Sequence, residues 1–192
     1  TWFRLTHSPH PLAEKMWLVW HHLFATSQQK VRNVAWMLDQ SEQLRANWNA
    51  NASKLHLAML RCPAMLTWLD GADNTVESPN ENLAREYFEL FALGEGNYTE
   101  RDIQEAARVL TGWKLQRVKQ ETQPVYDEKS HDPGEKTLFG ASGKWTDKDL
   151  VRLTCQRKAA AMYLARTLYR WFIDDIKAPE DKLLVPLAEA MQ

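Results

Sequence analysis

Asn82, Arg85, Glu86 and Glu89 fall within eight residues. At 100° per residue their side chains share one side of a helix, within an arc of about 100°. Two carboxylates beside a guanidinium are a set that can move protons, because a neighbouring charge shifts a carboxyl pKa. Farther along, "HDPGEKT" holds His131, Asp132 and Lys136. In a functional reading His131 is an acid/base, Asp132 orients it or contacts a ligand, and Lys136 meets an anion. A plainer reading exists for each set. Glu81, Arg85 and Glu89 form an i, i+4, i+8 ladder, which on a solvated face amounts to ion pairs worth ~0.3–0.5 kcal/mol each. Asp-Pro-Gly starts turns readily.

His21 and His22 are adjacent, so on a helix they point ~100° apart and cannot both face one ion. They do not form an HExxH pair, and "GEKT" lacks the rest of a Walker loop. Hydrogen-bonded packing in the core is the plain reading of either histidine. A site made of His21, His131 and a carboxylate has no metal-ligand spacing. No metal and no cofactor is therefore expected.

These residues need elements to position them, and the hydrophobic period is helical nearly everywhere. The pattern predicts a first helix over 11–24, apolar on several sides and hence buried. Its few polar residues, Glu14, Lys15, His21 and His22, then become informative, and Glu14 shares a face with His21. Further helices are expected near 31–43, from a Ser53 cap to Arg61, and from Pro63 to Leu69. For the helix carrying the carboxylates, Ser78 reads as N-cap, Pro79 as first residue, Glu81 as capping-box partner and Gly94 as the left-handed end. Thr99 with Asp102 and Thr146 with Asp149 each read as a capping box. An amphipathic helix is expected at 158–172, and a last one from Pro179.

The stretch 114–145 breaks this order, with two Pro, three Gly and no helical period among "QETQPVYDEKSHDPGEKTLFGASGKW". A loop of that length in a compact domain is functional or mobile more often than a mere connector. Short strands at 125–126 and 137–139 could pair with each other. The expected architecture is thus all-α: a single domain over 1–192, built as a bundle of about seven or eight helices with this one irregular insertion.

Composition sets outer limits. The 192 residues suit one domain, and a formal charge of −1 offers no basic excess for nucleic acid. Hydrophobic content of 44% is enough for a core. No apolar run approaches the ~20 residues of a membrane span. Cys62 and Cys155 lack metal-type spacing; they read first as buried free thiols, with a disulfide between them as the alternative. Nine Trp are spread along the chain as packing anchors.

The stretch "NENLAREYFELFALGEGNYTERDIQEAARVLTGW", 80–113, resembles the signature of a bacterial family catalogued as domain of unknown function 1800. The matching positions include Asn80, Glu81, Asn82, Arg85, Glu86, Glu89, Gly94, Gly96, Tyr98, Arg108, Thr111, Gly112 and Trp113. "PLAEKMWLVWHHLFATS" (11–27) and "HDPGEKTLFGASG" (131–143) resemble two further segments of that family. Cys62, and the short turn "ALGEGNYTE", depart from its pattern. The resemblance implies a piece of a longer, exported bacterial protein, with the rest of that chain as its partner. It names no reaction. It also implies that Arg85, Glu86 and Glu89 do more than meet water.

Two functions follow as expectations. In the first the chain is a structural or binding module, in which a polar network of Arg85 with Glu81, Glu89 or Asp132 ties the 114–145 loop to the 79–93 helix, and a small molecule or glycan is the ligand. In the second it is a hydrolase or group-transfer enzyme using Glu86 or Glu89 with His131. The candidate binding residues are Asn82, Arg85, Glu86, Glu89, His21, His131, Asp132 and Lys136.

Overall fold

The computed structural model describes residues 2–191, and these hold eleven α-helices and two small antiparallel hairpins. The expected seven or eight helices are too few because short ones escape a periodicity reading. α1 (Trp2–His7), α3 (Gln28–Val31) and α6 (Pro63–Trp68) each span less than two turns. The longer elements lie close to their predicted places: α2 is Pro11–Leu23, α4 Val34–Ala46, α5 Ala52–Leu60, α8 Glu100–Val109, α9 Asp147–Cys155 and α10 Lys158–Phe172. The last helix, α11 (Asp181–Glu189), starts two residues after Pro179. Capping boxes are present at Thr99–Asp102 and Thr146–Asp149. Asn51, not Ser53, caps α5: its side chain accepts from the Ser53 N–H.

The carboxylate helix differs most. α7 begins at Asn82 rather than at Pro79. Buried Asn74 is the reason. Its carboxamide accepts the Asn80 N–H at 2.9 Å and donates to the Ala107 carbonyl at 2.8 Å. That pull keeps 78–80 out of the helix; Glu81 becomes the N-cap, and the Asn80 side chain, one residue earlier, accepts the Asn82 N–H. After Glu86 the helix widens into a π turn, Tyr87–Ala92, closed by the Leu93 N–H donating to the Phe88 carbonyl at 2.8 Å. Such turns insert one residue per helical circuit and often accompany functional sites. This one turns Tyr87, Phe88 and Phe91 inward, where they meet Phe24 and His56 in the main core. Gly94, at φ +74°, ends it as expected.

The 114–145 stretch is not irregular throughout. β1 (Trp113–Val118) pairs antiparallel with β2 (Glu121–Tyr126), Trp113 opposite Tyr126. β3 (Lys136–Leu138) pairs with β4 (Ala141–Gly143). Each strand thus pairs with its neighbour in sequence, and 125–126 does not pair with 137–139. A two-residue connection closes at lower entropic cost than a ten-residue one. β3 lies on α8, so the second hairpin is docked on the helices. A small separate core of Ala161, Ala165, Leu184 and Ala188 joins α10 to α11. Cys62 and Cys155 are free thiols, and burial pushes Cys62 up to about 11. No described helix is long and apolar enough to cross a membrane.

Candidate functional site

The three neighbouring charged residues of α7 and its π turn part company. Arg85 spans two carboxylates, donating to Glu100 at 2.7 and 2.8 Å and to Glu81 at 3.2 Å. Its side chain is 36% exposed, so it is more than half covered yet still wet. Those hydrogen bonds, to Glu100 above all, hold its pKa above the ordinary arginine value. Glu89 accepts from the Tyr98 hydroxyl at 3.2 Å. Tyr98 is pushed up to about 12, by burial first and by that bond second. Glu86 takes neither partner. It lies half-buried on the wall of a cleft of about 630 Å³, and Asn82 lines the same wall. Burial raises its pKa, the Glu89 charge raises it further, and Arg85 opposes both.

Six elements line this cleft, α7 among them with Asn82 and Glu86. α2 supplies His22, and α6 supplies Trp68. The π turn adds Leu90 and Phe91, and α10 adds Tyr163, Arg166, Arg170 and Trp171. Lys30, on α3, closes one end. It pairs with Asp70 at 2.7 Å, and Asp70 also accepts a long 3.4 Å bond from the Asn82 carboxamide. The Tyr163 hydroxyl donates to the Leu90 carbonyl at 2.5 Å, fastening α10 to the π turn, where a helical i−4 partner is displaced. At the other end His22 meets the Trp171 ring edge-on at 5.5 Å, and Lys15 lies over that ring at 5.1 Å. The cleft runs on from there into an open hollow that shares His22, Arg170 and Trp171.

The residues His131, Asp132 and Lys136 gather elsewhere, against α8. Asp132 accepts from Arg108 Nε at 2.7 Å and from the Gly134 N–H at 2.7 Å. Burial works to raise the Asp132 pKa, but those bonds and the Arg108 and Lys136 charges outweigh it, and the net direction is down. Arg108 also donates twice to Glu105, which in turn accepts the Thr137 N–H. Lys136 is 1% exposed, and its ammonium donates to the Asp132 and Gly134 carbonyls. Desolvation lowers its pKa. Buried Thr111 completes the set: its hydroxyl donates to the Arg108 carbonyl and accepts the Asp132 N–H. His131 Nδ1 lies 3.0 Å from the Thr111 carbonyl, which assigns the ring proton to Nδ1. The charges in this cluster are paired, as a structural network requires.

The expected bridge between this loop and the 79–93 helix is therefore not the one formed. Among the described residues no hydrogen bond or ion pair joins Arg85, Glu86 or Glu89 to His131, Asp132 or Lys136. Arg108 takes the place expected for Arg85. Arg108 sits in the last turn of α8, next to the docked hairpin, whereas Arg85 is drawn off by Glu100. His21 and His22 are exposed rather than in the core. His21 tilts against Trp17 at 5.1 Å. Trp17 carries Arg45 over its ring at 4.3 Å, and Arg45 clamps buried Glu14 with three hydrogen bonds. Although much of its side chain is open, the part of His21 packed on Trp17 is desolvated enough to lower its pKa, and the Arg45 and His22 charges add to that.

Comparison with known proteins settles the family. Residues 1–192 match the family described as "Protein of unknown function (DUF1800)". The chain belongs to that family. No curated protein and no solved structure matches it. The DUF1800 chain thus brings together Asn82 and Glu86 of the candidate residues in one cleft. It brings His131, Asp132 and Lys136 together in another place, and leaves Arg85, Glu89 and His21 on the surface between partners of their own. Sequence reasoning missed Lys30, Arg166 and Arg170 in the cleft, and singled out His22 but read it as a core histidine. Arg166 and Arg170 stand at i and i+4 on α10, a spacing that marks a shared face. It also passed over Arg108 and Thr111, although both stand in the motif at 80–113.

Proposed function

We propose that this DUF1800 domain is a helical binding module whose cleft between α2, α6, the π turn and α10 receives a polar small molecule, with a sugar as the favoured class. The observation that carries the reading is Glu86: a half-buried carboxylate with no ion-pair partner among the described residues, facing a cleft large enough for a ligand. Around it stand groups suited to hydroxyl-rich molecules. Asn82, His22, Arg166 and Arg170 offer hydrogen bonds, and Trp68 and Trp171 offer flat apolar rings. The cluster of Arg108, Asp132, Glu105 and Lys136 is architectural in this reading, since its charges are satisfied internally.

The test is a titration of the domain with neutral and acidic oligosaccharides, followed by tryptophan fluorescence and by amide chemical shifts of α7. Saturable changes at Asn82 and Glu86, weakened about tenfold by Glu86→Gln, support the reading; that factor corresponds to one good hydrogen bond to a charged group. Absence of any response across the panel overturns it.

A second reading is acid/base catalysis, hydrolytic or group-transferring, in the same cleft. It is favoured by the raised pKa of Glu86, which moves a carboxyl toward the range useful to a general acid. Product analysis on the same oligosaccharides separates the two. Turnover abolished in Glu86→Gln with binding retained selects the enzyme.

A further inference from the structure

A second hollow, sharing no lining residue with the cleft, lies where the turn after the π segment meets the β3–β4 turn. Arg157, the residue before α10, lines it. Its guanidinium carbon lies over the Phe139 ring, 4.3 Å from the ring centre. Among the described residues its side chain donates to no acceptor and forms no ion pair, and its Nε is fully covered without a partner. A guanidinium carries five N–H donors; the covered Nε–H is costly to leave unpaired, and the remaining donors meet no protein acceptor among the described residues. Arg101 lines the same hollow and likewise has no carboxylate partner among the described residues.

The carboxylate nearest to hand is already engaged. Asp102 accepts from the Thr99 N–H and hydroxyl and from the Phe139 N–H. The platform under Arg157 is also held at a cost. Phe139 has φ +52°, a left-handed conformation that a bulky side chain rarely adopts. It is kept there by the Asp102 bond and by packing against Phe88 at 5.3 Å. Gly140, beside it at φ +84°, has no atom within 4 Å of where a Cβ would stand. The hollow is therefore open above a fixed aromatic floor, with two guanidinium groups on its walls.

We propose that this hollow is an oxyanion-binding site, taking a single carboxylate or phosphoryl group between Arg157 and Arg101. Arg157 is the principal contact, pre-oriented by Phe139, and its planar fork matches two oxygens of one group. Arg101 adds charge from the exposed side. Asp102, which already accepts three hydrogen bonds, holds Phe139 in place and makes no hydrogen bond or ion pair with Arg157 among the described residues, although the two charges feel one another.

The experiment is a titration with inorganic phosphate and, separately, with acetate, against sodium chloride at matched ionic strength and fixed pH. Amide shifts of Gly96 and Gly140 and the Arg157 Nε–H resonance are followed. Saturable shifts with either oxyanion, absent with chloride, support the site. Phosphate alone, or acetate alone, assigns the class of group. Arg157→Gln should abolish the shifts, Arg157→Lys should weaken them severalfold by loss of the fork, and Arg101→Gln should weaken them less. A melting curve checks that each variant folds. Should Arg157→Gln not fold, Arg101→Gln and the direct Nε–H signal carry the test. Linear, non-saturating shifts equal to those with chloride, or shifts unchanged in the variants, overturn the proposal. Binding of sugars in the cleft is read at α7 and stands or falls separately.

Discussion

Asp132 accepts a 2.7 Å hydrogen bond from Arg108, and this pair, rather than one with Arg85, fastens the 131–138 segment to the helices. The difference between the two arginines is measurable. Arg108 is held among partners that are largely covered, Glu105 and Asp132. Arg108→Ala leaves both carboxylates short of donors and should destabilise by about 1–3 kcal/mol. Arg85 pairs at the surface, so Arg85→Ala should stay within ~1 kcal/mol. Denaturant midpoints for the two variants check the order, and a larger loss for Arg85 would reverse the assignment.

His56 gives the domain a built-in sensitivity to acid. It is buried between the Phe24 and Tyr87 rings, with Nδ1 unpartnered. Burial lowers its pKa to about 4. The unfolded chain, titrating near 6.5, then binds more protons than the folded one between these values. Stability is complete above pH 6.5 and falls as the pH drops toward 4, by about 3 kcal/mol for this group. Unfolding free energies at pH 7 and 4.5 should show the loss, and His56→Leu should remove most of it.

Asp102 serves two elements at once. It closes the capping box of α8 with Thr99 and accepts the Phe139 N–H at 2.7 Å. Thr99→Ala should cost about 1 kcal/mol, the usual price of a cap. Asp102→Ala should cost more, and should also speed hydrogen exchange at the Phe139 amide. Equal effects of the two substitutions would mean that the turn holds itself.

Gly112 links α8 to β1 at φ +98°, and a Cβ there would stand 3.0 Å from the His131 Cβ and 3.1 Å from the Asp127 carbonyl oxygen. Gly112→Ala meets both a strained backbone and a crowded site, and should destabilise by more than ~1 kcal/mol. Gly96, at φ +79° with open space around it, should tolerate Ala at smaller cost. Thermal melts of the two variants compare them directly.

Local rules were written clearly in the chain. The capping boxes at Thr99 and Thr146, the span of α10 and the end of the π turn at Gly94 depend on residues a few positions apart. Such signals are legible because the groups that satisfy one another are neighbours in sequence. The segment before α7 read wrongly for the opposite reason. Ser78, Pro79 and Glu81 satisfy every local rule for a helix start, but Asn74, tied to Ala107 on α8, offers the Asn80 N–H a better-placed acceptor.

The helical character of the chain, most of its long helices and the membership of Asn82, Glu86, Asp132 and Lys136 in polar clusters were thus determined by the sequence itself. Which cluster each joined was decided by tertiary structure. On a wheel, Arg85, Glu86 and Glu89 share a face. In the fold the π turn and the approach of Glu100, Tyr98 and α10 send them to three different places. The choice between Arg85 and Arg108 as partner for Asp132 also lay beyond any local pattern. Both are arginines on helices near carboxylates, and charge attraction does not distinguish them. The docking of β3 on α8 does, because it carries Asp132 to Arg108, and an ion pair falls off steeply once its members are apart in a wet surface.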